Sequence, residues 1–144
     1  MSATATSPVR LARSALEGIR REAARAYPHE GCGALLGLVG EIRETLALPN
    51  QETGSPRTRF TVAPRDYLAA EAAADARGLV LLGFWHSHPD HPARPSETDR
   101  AWAWPGLLTL VIAVAGGEPG ELTAWEVKEP EAPFRPLVLT VGPE

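Results

Sequence analysis

Residues 79–99 read LVLLGFWHSHPDHPARPSETD. The run from Leu79 to Trp85 is apolar without polar alternation and too short for a typical helix, so it reads as a central strand buried on both faces. His86 and His88 stand where that strand ends. Side chains alternate along an extended chain, so the two imidazoles share one face while Trp85 and Ser87 point to the other. Pro89 and Pro92 stiffen the turn that follows, and Ser96-Glu-Thr-Asp99 has the form of an ordinary helix start with Ser96 as N-cap. Capping and ligation are not exclusive. Asp99, one turn into that helix, can return to the same point as the histidines and act as a third metal ligand. Two imidazoles and one carboxylate leave a tetrahedral position open, the arrangement of hydrolytic rather than structural zinc. Such a site generates hydroxide near neutral pH. His91 is the alternative third ligand, although its proline-flanked turn suits a surface position or a substrate contact better.

Outward from this stretch the chain reads as one mixed α/β domain over residues 9–144, after a flexible tail at 1–8. Val9 to Ala12 suits a first strand. Ser14 with Glu17 has the form of a capping box opening a helix, whose Leu16, Ile19 and Ala23 share a face and which ends before Pro28. Ala34 to Val39 and Glu41 to Leu48 read as strands about a turn at Gly40, and Asn50 to Arg59 as a polar loop. Pro64 opens a second helix that runs to Arg77 and stops at Gly78. A third helix runs from Ser96 toward Pro105-Gly106. Leu107 to Ala115, Leu122 to Val127 and Leu137 to Val141 read as three more strands, the first two joined through the segment from Gly116 to Gly120. Trp85, Trp102, Trp104 and Trp125 are expected to pack in the core or against helices.

Composition narrows the chemistry. The 144 residues are 44% hydrophobic and 22% charged, suited to a single core, and the 13 glycines and 14 prolines are spread along the chain rather than clustered. The formal net charge is -4, so no basic face for nucleic acid is implied. No apolar stretch approaches the roughly 20 residues of a membrane span. The first residues lack a charged and then apolar leader, so a cytoplasmic protein is expected. The single cysteine, Cys32, allows neither an internal disulfide nor a multi-thiolate zinc site. It also excludes the paired-cysteine ligands of nucleobase deaminases. His29-Glu30 is not a zincin motif, because Gly33 stands where the second histidine would be.

The segment His86-Ser-His88-Pro89, six residues, then Ser96-Glu-Thr-Asp99 resembles the signature of the JAMM (JAB1/MPN/Mov34) metalloproteases, His-x-His-Pro-x6-Ser-x2-Asp, with every spacing matched. Upstream, Pro28-His-Glu30-Gly-Cys32-Gly-Ala-Leu-Leu-Gly37 resembles the glutamate segment of the prokaryotic form, and Trp104-Pro105-Gly106 also fits. The resemblance runs from about Val9 to the end of the chain. It implies a single JAB1/MPN-type α/β domain, a curved mixed β-sheet flanked by helices with cytidine-deaminase-like architecture. It implies zinc held by His86, His88 and Asp99, Glu30 as the proton carrier between water and leaving amine, and the Ser96 hydroxyl as oxyanion donor. Cys32 becomes a small packing residue near the site, and His29 faces solvent. The implied reaction is hydrolysis of the amide after the terminal glycine of a ubiquitin-like or sulfur-carrier β-grasp protein with a Gly-Gly tail. Two rivals share the resemblance: a non-catalytic MPN interaction scaffold, and a RadC-type DNA-associated protein. The full ligand set speaks against the first, and the Glu30 segment and acidic charge against the second.

Overall fold

The computed structural model describes residues 8–50 and 63–142. The expected loop beyond Asn50, the tail before residue 8 and the Trp102 side chain lie outside the described residues. In chain order the elements are β1 (Val9–Leu11), α1 (Arg13–Ala26), β2 (Cys32–Leu38), β3 (Glu41–Leu48), α2 (Pro64–Ala76), β4 (Val80–Pro89), α3 (Glu97–Trp102), β5 (Leu108–Ala115), β6 (Glu118–Glu126), β7 (Arg135–Leu137) and β8 (Leu139–Val141). They form one sheet in the order β7-β6-β5-β4-β2-β3-β1-β8. The pairs β4/β5, β1/β3 and β1/β8 are parallel, the others antiparallel. The two edge strands β7 and β8 are consecutive in the chain, with only Val138 between them. The sheet must therefore curl until its edges nearly meet, and the Val9 N–H, which donates to the Val138 carbonyl at 2.9 Å, helps to hold that closure.

Leu137 to Val141 is thus two strands rather than the one expected from sequence. A five-residue apolar stretch carries no mark of a change of partner; pairing with β6 on one side and β1 on the other divides it. Two further expectations need correction. The first helix is not opened by Ser14: its N-cap is Ala12, with no side-chain cap. The sheet sets this start instead, because the Ala12 N–H donates to Ile42 O at 2.9 Å while its carbonyl accepts from Leu16 at 3.0 Å, so strand passes directly into helix. The turn between β5 and β6 is only Gly116-Gly117, with φ of 58° and 90°, a pair of positive values that suits a two-residue hairpin. Pro119 then lies inside β6. It is tolerated where the ladder shifts register between Ile112 and Val114.

The second helix follows its reading closely. Pro64 occupies its first turn, Arg77 caps it, and Gly78 at φ 71° reverses the chain. The Gly78 and Leu79 N–H groups close on the Asp75 and Ala74 carbonyls at 3.1 and 2.8 Å, a Schellman ending. No helix among the described residues is long and apolar enough to cross a membrane.

The core has two parts, one on each side of the central strands. Ile19 and Ala23 of α1 pack with Leu35, Trp85, Leu110 and Ile112. On the opposite face, Ala70 and Ala74 of α2 pack with Ala34, Leu36, Leu79 and Phe84. The central strand β4 is not buried throughout: Val80 is 46% exposed, and burial becomes continuous only from Gly83 to Pro89. Gly83 is itself required. A Cβ there would collide with the Leu108 backbone, so glycine permits the close approach of β4 and β5 that carries the histidines inward. Trp104 follows the helix-packing half of its reading: it is 44% exposed, with its ring 4.7 Å from that of Tyr67 on α2.

Candidate functional site

The β4 register fixes which face carries the chemistry. Cys32 of β2 pairs with His86, and Ala34 with Phe84. Directly opposed residues share a face. Cys32, His86 and His88 therefore continue the Phe84 side, while Trp85 and Ser87 turn toward α1. This agrees with the alternation expected from sequence, although the strand contains the histidines rather than ending before them.

His86, His88 and Asp99 are all buried, and one ligand atom from each lies within 4.8 Å of the others. The Nε2 atoms of His86 and His88 stand 3.1 and 3.0 Å from one oxygen of Asp99, Oδ2. The His88 Nδ1–H donates to the Pro92 carbonyl at 2.8 Å, which orients the ring and leaves Nε2 directed at the cluster. The stiff turn after His88 thus has a function that its prolines only suggest in sequence. Asp99 arrives through the expected capping box: Ser96 Oγ accepts from the Asp99 N–H at 3.0 Å, and Asp99 Oδ2 from the Ser96 N–H at 2.8 Å. Ser96 Oγ still has its own proton to donate. His91, the alternative ligand, is exposed and outside the cluster, though it lines the adjacent cavity.

Glu30, far upstream, does reach this place. It is 4% exposed, and with His88, His91, Pro92, Arg94 and Ser96 it lines an open cavity of about 310 Å³. Its Oε1 is buried with no hydrogen-bond partner among the described residues. Burial, and then the charge of Asp99, push its carboxyl up to about 8, with His88 pulling the other way. A carboxyl poised near neutrality can both take and return a proton. At Asp99, burial works toward a higher value but is outweighed by hydrogen bonds from His86 and His88, which hold the carboxyl far below the usual range. Burial pulls His86 down. At His88 burial also acts downward, yet the Asp99 and Pro92 hydrogen bonds raise it overall. A set of two nitrogen donors and one ionised oxygen, converging in a buried place beside an unsatisfied carboxylate oxygen, fits a zinc ion.

Two residues that hold Glu30 in position escape the sequence reading. Ser87, fully buried between the histidines, accepts from the Gly31 N–H at 2.8 Å and donates its own N–H to the Gly31 carbonyl at 3.0 Å. Asn50 Nδ2 donates to the Glu30 carbonyl at 3.1 Å. The signal for Ser87 is present in the sequence: a hydroxyl in the middle of a buried strand requires a partner. Beneath this segment Trp85 lies so close to Gly33 that a Cβ there would collide with the indole nitrogen. Cys32 is buried, its Sγ 3.6 Å from the Leu48 carbonyl, and burial pushes its thiol up to about 12, so it packs rather than attacks. His29 is exposed, as expected.

The family described as prokaryotic homologs of the JAB domain matches residues 12–128. A desampylase of Haloferax volcanii is 34% identical over 130 residues, covering 89% of each chain. A probable TtuB-protein conjugate cleaving protease of Thermus thermophilus is 39% identical over 87 residues, 60% of this chain and 57% of its own. Among solved structures, protein DSY2949 of Desulfitobacterium hafniense superposes with a TM-score of 0.81 at 29% identity, covering 94% of this chain and 93% of that one.

Proposed function

The chain belongs to the prokaryotic JAB family, and from that membership we propose that it is a zinc-dependent isopeptidase. It hydrolyses the amide after the terminal glycine of ubiquitin-like or sulfur-carrier β-grasp proteins. The observation that carries this reading is the meeting of the His86, His88 and Asp99 donors with the unpartnered Glu30 Oε1 at one cavity. A scaffold without activity has no need of that full set. Desampylases and a conjugate-cleaving protease among its relatives point to conjugates of ubiquitin-like proteins as the substrate class.

His86, His88 and Asp99 hold the ion. Zinc bound there supplies a Lewis acid that makes water a stronger acid and polarises the scissile carbonyl. Glu30 takes a proton from the attacking water and passes it to the leaving nitrogen as the carbon–nitrogen bond breaks. Ser96, its oxygen already accepting from the helix, donates a hydrogen bond from its hydroxyl to the carbonyl oxygen as negative charge develops. Residues nearest the scissile bond must pass between Glu30 and the start of α3, which favours glycine over bulky side chains.

The test has two parts. Purified protein should carry one zinc per chain, lost in His88→Ala, because two remaining ligands are too few to retain the ion. Zinc-loaded protein should cleave a β-grasp adduct ending in Gly-Gly, and changing the last glycine to valine should block cleavage. Unchanged zinc in both His88→Ala and Asp99→Ala, or no cleavage of any glycine-tailed adduct, overturns the reading.

A further inference from the structure

The cavity that holds Glu30, His88 and Ser96 has one charged wall that the reading above does not use. Arg94 lines it, and also lines a second cavity of about 360 Å³ whose walls include Thr123, Trp125, Leu137 and Leu139. Its backbone is well anchored. The Arg94 N–H donates to Pro92 O at 2.8 Å, and the neighbouring Ala93 is fully buried with its carbonyl accepting from the Thr123 hydroxyl at 2.7 Å. That hydroxyl oxygen in turn accepts from the Trp125 indole at 2.8 Å. Arg94 is nonetheless an exposed residue, and its guanidinium has neither an ion pair nor a side-chain hydrogen bond among the described residues. Arg43, Arg77 and Arg135 each stand within 3.3 Å of a carboxylate oxygen. An anchored backbone carrying an unengaged cation at the wall between two cavities is suited to reading a ligand.

The chemistry of the proposed substrate limits what that ligand group can be. On the acyl side the last two residues are glycines, which offer neutral amides and no charge near the scissile bond. An anion near Arg94 must then come from the amine side. A lysine ε-amine brings four methylenes and no anion, whereas the α-amine of a free amino acid brings a carboxylate two bonds from the scissile nitrogen. We propose that Arg94 binds the α-carboxylate of the leaving amine, so that the site prefers adducts in which the modifier's last glycine is joined to a single amino acid. A planar guanidinium can grip such a carboxylate through two parallel hydrogen bonds. The second cavity beyond Arg94 is placed to take that amino acid's side chain. This inference rests on the hydrolase reading and sharpens its substrate class.

A binding comparison tests Arg94 without requiring turnover. Zinc-loaded Glu30→Gln protein is titrated by NMR with N-acetyl-Gly-Gly-Ala and with its C-terminal carboxamide. The free acid should bind about tenfold more tightly, the scale of one charge-assisted contact. Arg94→Ala should erase that difference while leaving zinc content and affinity for the amide unchanged, and Arg94→Lys should keep part of it. Equal affinities, undetectable binding of both included, or a preference that survives Arg94→Ala, overturns the inference. A parallel kinetic arm uses wild-type and Arg94→Ala enzyme on a β-grasp protein joined through Gly-Gly to alanine or to a lysine ε-amine. Arg94→Ala should raise KM for the first and leave the second unchanged. Equal effects on both, or cleavage of the lysine adduct alone, count against Arg94, whereas an absence of turnover on both counts against the hydrolase reading.

Discussion

Strand β4 faces two different environments within a few residues. Toward α1, Trp85 fills space among aliphatic side chains and Ser87 satisfies its hydroxyl on Gly31. Toward the other face, His86 and His88 join Asp99 and Glu30 in a buried group whose charges are only partly compensated. The first face is stabilised by burying apolar area. The second costs stability, since an ionised group removed from water without full pairing is expensive. Alternation along one strand lets the first support the second. Mutations on the two faces should therefore differ in kind: those toward α1 lower stability and drag activity with it, and those at the site lower activity with little loss of stability.

Trp85→Ala should have the largest effect, about 3–5 kcal/mol of destabilisation, the usual cost of emptying a buried aromatic site. Denaturant unfolding measures it, and a loss below 1 kcal/mol would mean that the α1 face does not carry the strand. Glu30→Gln should lower turnover by about a thousandfold with zinc content unchanged, within the upper range for removing a proton carrier. Retained turnover would assign the proton to another group. Ser96→Ala should lower kcat by about a hundredfold. A matching fall in Tm with kcat intact would make Ser96 a helix cap alone.

The smallest effect is a pH slope in the zinc-free protein. Glu30 has its carboxyl raised from 4.5 to about 8, so the folded state holds a proton that the unfolded chain releases. Its contribution is most favourable below pH 4.5 and is lost as pH rises toward 8, where the folded state also ionises. Wild-type protein should thus lose stability relative to Glu30→Gln across that interval, by ~1 kcal/mol or more. Unfolding midpoints of the two proteins at several pH values give the difference directly. Parallel curves would mean that the Glu30 carboxyl is solvated in the fold.

The site was largely legible because its residues are close in sequence and each has a local reason to be there. Alternation puts His86 and His88 on one face, and the Ser96 cap returns Asp99 to them. Glu30 became legible only through family resemblance, since nothing local ties it to residues so far downstream; the double link from Gly31 to Ser87 is a cross-strand fact. The C-terminal split at Val138 was hidden for the same reason. Propensity describes what Leu137 to Val141 prefers, and the pairing partner on each side decides what it does. At the first helix, the Ser14 pattern lost to the hydrogen bond between Ala12 and Ile42, a tertiary contact overriding a local signal.

The closure of the sheet also bears on how the molecule comes into being. Strand β1 has β8 as one of its two neighbours, with Val9 opposite Leu139 and Leu11 opposite Val141. That ladder joins the most distant parts of the described chain, the kind of contact that slows folding because so long a loop must close first. While the ribosome is still reading the middle of the message, the nascent β1 has one flank unpaired, and the histidine strand can already hydrogen-bond to β2 before the circle shuts.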